Sequence, residues 1–209
     1  MNTQILSTTH PDAIPAALSV LHAGGLVAIP TDTVYGLAAL LSDSQAIARI
    51  YLAKERSENK AIAVLIGELE QIDLVAESLS ADARLLAAAF WPGALTLVVP
   101  RRPDLPANLS PLPTIGVRMP DHDFARRLLS SAGPLATTSA NLSGGPNPRN
   151  ANEVLAQLEG RIELLLDGGD APGGVPSTVV DCTGGEIKVL RQGAITAERL
   201  MKAIKPPEK

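Results

Sequence analysis

The sequence predicts one α/β domain, a twisted sheet with helices laid over it, spanning residues 1–209 with a core over about 11–204. Two observations lead there. Strand-length apolar runs alternate with segments of helical spacing from end to end, as in a sheet packed under helices. The polar stretches fall where strands end, which is where such a fold places its site. A chain of 209 residues is long enough for one sizeable core and short for two. Hydrophobic residues supply 45% of it but aromatic residues only 2%, so the core must be aliphatic.

The elements follow in order. Residues 11–23 read as a helix, with Ile14, Ala17, Leu18 and Leu21 at helical spacing and Gly24-Gly25 as its stop. Residues 26–30 form a short apolar strand, 31–36 a polar turn, and 37–41 a second apolar run. A helix over 44–54 carries Ile47, Ile50 and Tyr51 on one face, and 61–66 is a strand. Ser80 is placed to cap a helix running to Trp91, which Pro92-Gly93 ends. Residues 94–99 form a strand, and the proline-rich stretch 101–113 a loop. A strand over 114–119, a helix over 123–131 and a strand over 135–138 follow. Asn150 and Glu153 have capping-box spacing at the start of a helix over 150–158. Strands are expected over 162–166, 178–181 and 186–190, and Thr196 caps a last helix with Ile195 and Leu200 as a hydrophobic staple. Residues 205–209 read as a frayed tail.

Several chemistries are excluded. The chain has no Walker-type phosphate loop, no G-x-G-x-x-G opening a helix and no G-x-S-x-G. Its three histidines, His10, His22 and His122, are scattered, and Asp121-His122-Asp123 reads as a polar helix start. The single cysteine, Cys182, reads as a small buried residue and forms neither an internal disulfide nor a metal cluster. Residues 1–15 do not look like a secretory signal, and no apolar run approaches the ~20 residues of a membrane helix. A cytoplasmic protein without membrane contact is expected. The net charge of −4 weighs against nucleic acid as the main partner, although a local basic pocket is compatible with it.

Polar clusters at strand ends carry the remaining chemistry. Pro30-Thr31-Asp32-Thr33-Val34-Tyr35-Gly36 is either a plain turn or a seat for a small polar ligand. Lys54-Glu55-Arg56, with Lys60 nearby, either complements a helix dipole or grips a polyphosphate. Arg118, at the end of an apolar strand, needs an anion, which is either a ligand carboxylate or a structural Asp. Thr137-Thr138-Ser139-Ala140-Asn141 offers more donors than a turn requires, and Pro176-Ser177-Thr178 and Arg191-Gln192-Gly193 add others. Many hydroxyls and several cations, with no obvious nucleophile, suit a nucleotide triphosphate and a small amphoteric partner.

Taken in order, these stretches resemble the YrdC family of threonylcarbamoyl-AMP synthases. The matching segments include Gly24-Gly25, Pro30-Thr31-Asp32-Thr33-Val34-Tyr35-Gly36-Leu37, Lys54-Glu55-Arg56 and Trp91-Pro92-Gly93-Ala94-Leu95-Thr96. Val117-Arg118-Met119-Pro120, Ser139-Ala140-Asn141, Pro176-Ser177-Thr178-Val179-Val180-Asp181 and Leu190-Arg191-Gln192-Gly193 complete the set. The resemblance implies a twisted mixed β-sheet with a concave, positively charged cavity, and a nucleotidyltransfer reaction. Threonine takes up CO2 from bicarbonate, and the carbamate attacks the α-phosphorus of ATP. The product serves threonylcarbamoyladenosine modification of tRNA beside the anticodon, through downstream tRNA threonylcarbamoyl-transferase proteins.

The resemblance also places individual residues. Lys54 and Arg56 should hold the phosphates, with Arg118 completing the catalytic cations and pairing with the substrate carboxylate. Thr114, Ser139, Asn141, Asn147 and Arg191 should contact ATP; Thr31, Thr137 and Ser177 should line the threonine pocket. Mg²⁺ is expected to arrive with the ATP phosphates rather than on a protein cage. The chain departs from the family after Arg56, where Ser57 and Lys60-Ala61 replace a proline-bearing loop. It is read as the single-domain form, without the extra C-terminal domain of longer relatives. A module that binds tRNA or double-stranded RNA without synthase activity is the alternative, and weak RNA binding could accompany the enzyme. A carbamoyl-transfer role like that of hydrogenase maturation proteins would call for acylphosphatase-like and zinc-finger regions that this sequence does not contain.

Overall fold

Helix and strand boundaries in the computed structural model, which describes residues 2–205, follow local signals closely. The strands are β1 (Gln4–Ser7), β2 (Val27–Ile29), β3 (Gly36–Leu40), β4 (Ala63–Leu65), β5 (Leu95–Pro100), β6 (Thr114–Arg118), β7 (Leu135–Ser139), β8 (Leu164–Asp167), β9 (Thr178–Asp181) and β10 (Lys188–Arg191). The helices are α1 (Ala13–His22), α2 (Ser44–Lys54), α3 (Ala81–Phe90), α4 (Asp123–Ala132), α5 (Ala151–Leu158) and α6 (Ala197–Ile204). Short 3-10 turns occupy Leu69–Leu74 and Ala107–Leu109.

The caps explain why the helices start where they do. Asp43 accepts from the Gln45 and Ala46 amides at 2.9 and 3.0 Å, satisfying donors that α2 leaves open. Ser80 does the same for Ala83 at 3.1 Å, and Thr196 for Arg199 at 3.4 Å. At α5 the capping box is displaced. Asn150 accepts from Glu153 N at 3.0 Å, but the Glu153 carboxylate reaches back to Arg149 N, at 2.6 Å, rather than to Asn150. The His122 ring caps α4 by accepting from Ala125 N at Nδ1, 3.3 Å away, which matches the polar helix start. Cys182 is buried one residue past β9.

The strands form one mixed sheet in the order β1-β8-β2-β3-β7-β4-β6-β5-β9-β10. β1, β8 and β2 run parallel; β2-β3-β7-β4 pair antiparallel; β4-β6 and β5-β9 are parallel pairs. The edge strand β1 went unread in the sequence. Its residues are largely exposed and lack alternation, so only its pairing with β8 makes it a strand. Beyond Lys205, the tail read over 205–209 lies outside the described residues.

Period-two alternation divides the apolar side chains between the two faces. On one face Ala28, Leu37, Val64, Leu97, Val117, Ala136 and Leu165 pack with α2, α3, α5 and α6 in the larger cluster. On the other, Val27, Ile29, Ala38, Leu65, Leu135, Leu164 and Leu166 pack with Ala17 and Leu21 of α1 and Phe124, Leu128 and Leu129 of α4. That second cluster stops at β4. The corresponding face of β6, β5 and β9, and the far ends of β3 and β7, have no helix over them. This bare half of the sheet is where the cavity lies.

Replacing Leu128, fully buried between α4 and the sheet, by Ala should cost about 2–5 kcal/mol in urea unfolding. An unchanged midpoint would remove the α4 face from the core.

Candidate functional site

The cavity encloses about 570 Å³ over the uncovered strands, within the range of small-molecule sites. Its floor is made of small side chains at matched register. Ala63 pairs with Thr137, Gly36 pairs with Ser139, and Val98 pairs with Gly116. Gly36 is required for close approach, because a Cβ there would stand 2.8 Å from Thr137 Cγ2. The walls carry Arg56, Arg118 and Arg191, and no carboxylate residue lines the cavity among the described residues. Burial presses all three guanidinium pKa values down; at Arg118 the Asp32 carboxylate opposes that effect.

Arg118 is the most enclosed of the three, at 6% exposure. β6 delivers it to the row of Leu65 and Leu135, where the floor meets α4. Its Nε donates to the Gly93 carbonyl at 2.9 Å, Nη1 donates to Thr33 Oγ1 at 2.7 Å, and Nη2 pairs with Asp32. Of the two anions considered from the sequence, the structural carboxylate is therefore present. The Thr33 hydroxyl continues the chain to Thr31 Oγ1 at 3.1 Å, and Thr31 donates its proton to Val34 O at 2.7 Å. Because Thr31 has only one hydroxyl proton, Thr33 must be the donor in the shared contact.

A second group sits across the floor. Arg191 Nε and Nη2 donate to the Ser177 carbonyl at 3.1 and 2.9 Å, and Nη2 reaches Ser177 Oγ at 3.2 Å. Ser177 Oγ in turn shares a hydrogen bond with Thr96 Oγ1 at 2.7 Å. Thr114, Ser139 and Asn147 add to the polar lining, and Thr137 turns its hydroxyl to Leu135 O at 3.1 Å.

Two residues expected at the ligand stand elsewhere. Lys54 and Asn141 do not line the cavity. Lys54 is 1% exposed, and its ammonium donates to the Ser139 carbonyl, to the Asn141 carbonyl at 2.5 Å and to Asn141 Oδ1 at 3.5 Å. Asn141 spends its amide on the carbonyls of Leu142 and Gly145, at 2.8 and 2.9 Å. Both therefore clamp the 139–141 turn from behind the wall. The cause is local: α2 ends at Glu55 in the left-handed region, φ 51°, with its carboxylate on Arg161 at 2.7 Å. That single residue turns the chain so that Lys54 enters the interior and Arg56 enters the cavity. Arg56 donates to Ala61 O at 2.9 Å, while its buried Nε has no partner.

Asp32, Thr33, Gly93 and Thr96 were not singled out as site residues from the sequence. The available signal was position, since each lies inside a matching segment: Asp32 and Thr33 directly follow the chosen Thr31, while Gly93 and Thr96 belong to a segment from which no residue was chosen. Among the described residues no group of three or more His, Cys, Asp or Glu could hold a metal ion. No described helix is long and apolar enough to cross a membrane.

Burial and the neighbouring Arg56 charge hold the Lys54 pKa down to about 7, well under its ordinary 10.5. The unfolded chain therefore binds the extra proton between those values, and stability should rise with pH across that window. Relative to Lys54→Met, the unsubstituted protein should gain up to about 1.4 kcal/mol per pH unit between pH 7 and 10 in urea unfolding. Equal slopes in the two proteins would show that the folded-state ammonium titrates normally.

The Sua5_yciO_yrdC family model, described as "Telomere recombination", matches residues 19–193. The Threonylcarbamoyl-AMP synthase of Bacillus subtilis (strain 168) is 41% identical over 207 residues, covering 98% of this chain and 60% of that protein. A putative threonylcarbamoyl-AMP synthase of Mycobacterium tuberculosis (strain H37Rv) is 41% identical over 192 residues, 91% of this chain and 88% of that protein. Among solved structures, P. abyssi Sua5 complexed with L-threonine superposes with a TM-score of 0.92 at 37% identity, over 98% of this chain and 61% of that one. The chain thus spans about 60% of the length of the Bacillus relative. With its fold, the order of its motifs and these matches in agreement, the chain belongs to the Sua5_yciO_yrdC family.

Proposed function

We propose that the chain is an L-threonylcarbamoyladenylate synthase, an adenylyl-transferring enzyme acting on L-threonine, bicarbonate and Mg-ATP. The observation that carries this reading is the cavity itself: three arginines and a ring of hydroxyls over a floor of small residues, with no lining carboxylate among the described residues. Such a site suits an anionic nucleotide beside an amino acid. The relatives named threonylcarbamoyl-AMP synthase supply the specific chemistry.

In this reading Arg118 takes the threonine carboxylate, with Thr31, Thr137 and Ser177 around the rest of the amino acid. Threonine's neutral amine forms an N–C bond to CO2, which bicarbonate yields by releasing hydroxide, and the proton that the nitrogen gives up converts that hydroxide to water. A carbamate oxygen then attacks the α-phosphorus, the bond from that phosphorus to the bridging oxygen breaks, and pyrophosphate leaves with its electron pair. Arg56 and Arg191, with Thr114, Ser139 and Asn147, hold the nucleotide, and Mg²⁺ comes with its phosphates. Lys54 and Asn141 contribute by setting the shape of the turn that presents Ser139. The protein's part is orientation and charge stabilisation rather than covalent catalysis. The adenylate would then pass to proteins that transfer the threonylcarbamoyl group to tRNA.

Mass spectrometry after incubation with threonine, bicarbonate and Mg-ATP should detect threonylcarbamoyl-AMP, with pyrophosphate released only when threonine and bicarbonate are both present. Pyrophosphate release indifferent to threonine would reject the reading. Arg118→Ala should lower kcat/KM for threonine by about 100-fold or more, while ATP affinity changes far less. Equal losses for both substrates would take Arg118 out of the carboxylate subsite.

A further inference from the structure

Segments distant in sequence meet on one side chain. The Gly93 carbonyl accepts Arg118 Nε at 2.9 Å, the Thr33 hydroxyl accepts Nη1 at 2.7 Å, and Asp32 Oδ1 accepts Nη2. A guanidinium carries five N–H groups. These partners use one on each nitrogen and leave one on Nη1 and one on Nη2 for a further acceptor. Arg118 lines the cavity but Asp32 does not, and the Asp32 side chain is 13% exposed. Its backbone is fixed as well, since the Asp32 carbonyl accepts from Gly173 N at 3.1 Å and a Cβ on Gly173 would stand 2.6 Å from that same oxygen. Asp32 thus sits in the wall behind the arginine, on a segment packed closely against Gly173.

We propose that Asp32 is a positioning residue for Arg118: its hydrogen bond to Nη2 holds the guanidinium in one orientation, with the two unspent N–H groups toward the substrate carboxylate. The inference rests on the synthase reading and adds a residue to it. Asp32 is the one charged partner among the three that hold the tip, and a displacement of about 1 Å in a positioning group can cost on the order of 100-fold in rate.

The experiment compares Asp32→Ala, Asp32→Asn and Thr33→Val with the unsubstituted chain, measuring pyrophosphate release while threonine and ATP are varied in turn. Asp32→Ala should lower kcat/KM for threonine by at least about 10-fold and leave KM for ATP within about twofold. Asp32→Asn keeps an oxygen able to accept from Nη2 and should recover to within about threefold of the unsubstituted value. Thr33→Val, which removes the Nη1 acceptor at similar volume, should show the same threonine-selective loss, by about threefold or more, and serves if the alanine variant does not fold. Parallel losses for threonine and ATP, an asparagine variant as impaired as alanine, or no loss in either Asp32 variant would each overturn the proposal. Absence of threonine-dependent turnover in the unsubstituted chain would overturn the synthase reading, and this one with it.

Discussion

A guanidinium 6% exposed at the end of an apolar strand must be compensated, because an unpaired charge at that depth costs several kcal/mol. Arg118 is such a group, and much of the cavity follows from meeting its need. The 31–33 turn supplies a carboxylate and a hydroxyl, and the loop ahead of β5 supplies a carbonyl. Held together by one side chain, these segments form one end of the cavity. The other end depends on an omission. Helices α1 and α4 cover the sheet only as far as β4, so β6, β5 and β9 offer a face on which Gly116, Val98 and Thr96 have no helix to pack against. The cavity therefore belongs to the architecture, and its lining tolerates bulk poorly at positions such as Gly36.

Lys54-Glu55-Arg56 illustrates how little backbone is needed to separate two cations. In a continuing helix, residues two apart point in widely different directions, but neither would be sent through a wall. The left-handed Glu55 ends α2 and reverses the path, so that one cation becomes a structural clamp on main-chain carbonyls and the other a cavity residue. A non-glycine residue at φ 51° is uncommon, and its ion pair with Arg161 leaves the Glu55 side chain outside.

Where a signal was local, it was legible in the sequence. The bounds of α2 and β9 agree with the reading, and Ser80, Asn150 and Thr196 cap the helices they were expected to cap. β1 was missed because its pairing with β8 lies about 160 residues away and leaves no pattern in its own residues. Most of the residues expected at the site do line the cavity, since ordered motifs mark which segments converge. Motifs do not state which way a side chain turns. The inward course of Lys54 depends on one φ angle, the retreat of Asn141 on that lysine's donors, and the pairing of Arg118 with Asp32 on the meeting of two segments 86 positions apart.

Trp91 is the single tryptophan of the chain. It is 8% exposed, its indole Nε1 donates to Leu95 O at 2.7 Å, and it stands two residues before the Gly93 carbonyl that accepts from Arg118. The molecule consequently carries its own fluorophore beside the group assigned to the amino acid. Emission from that ring has no competing indole signal, so events at the guanidinium can be followed optically, without a label or an engineered probe.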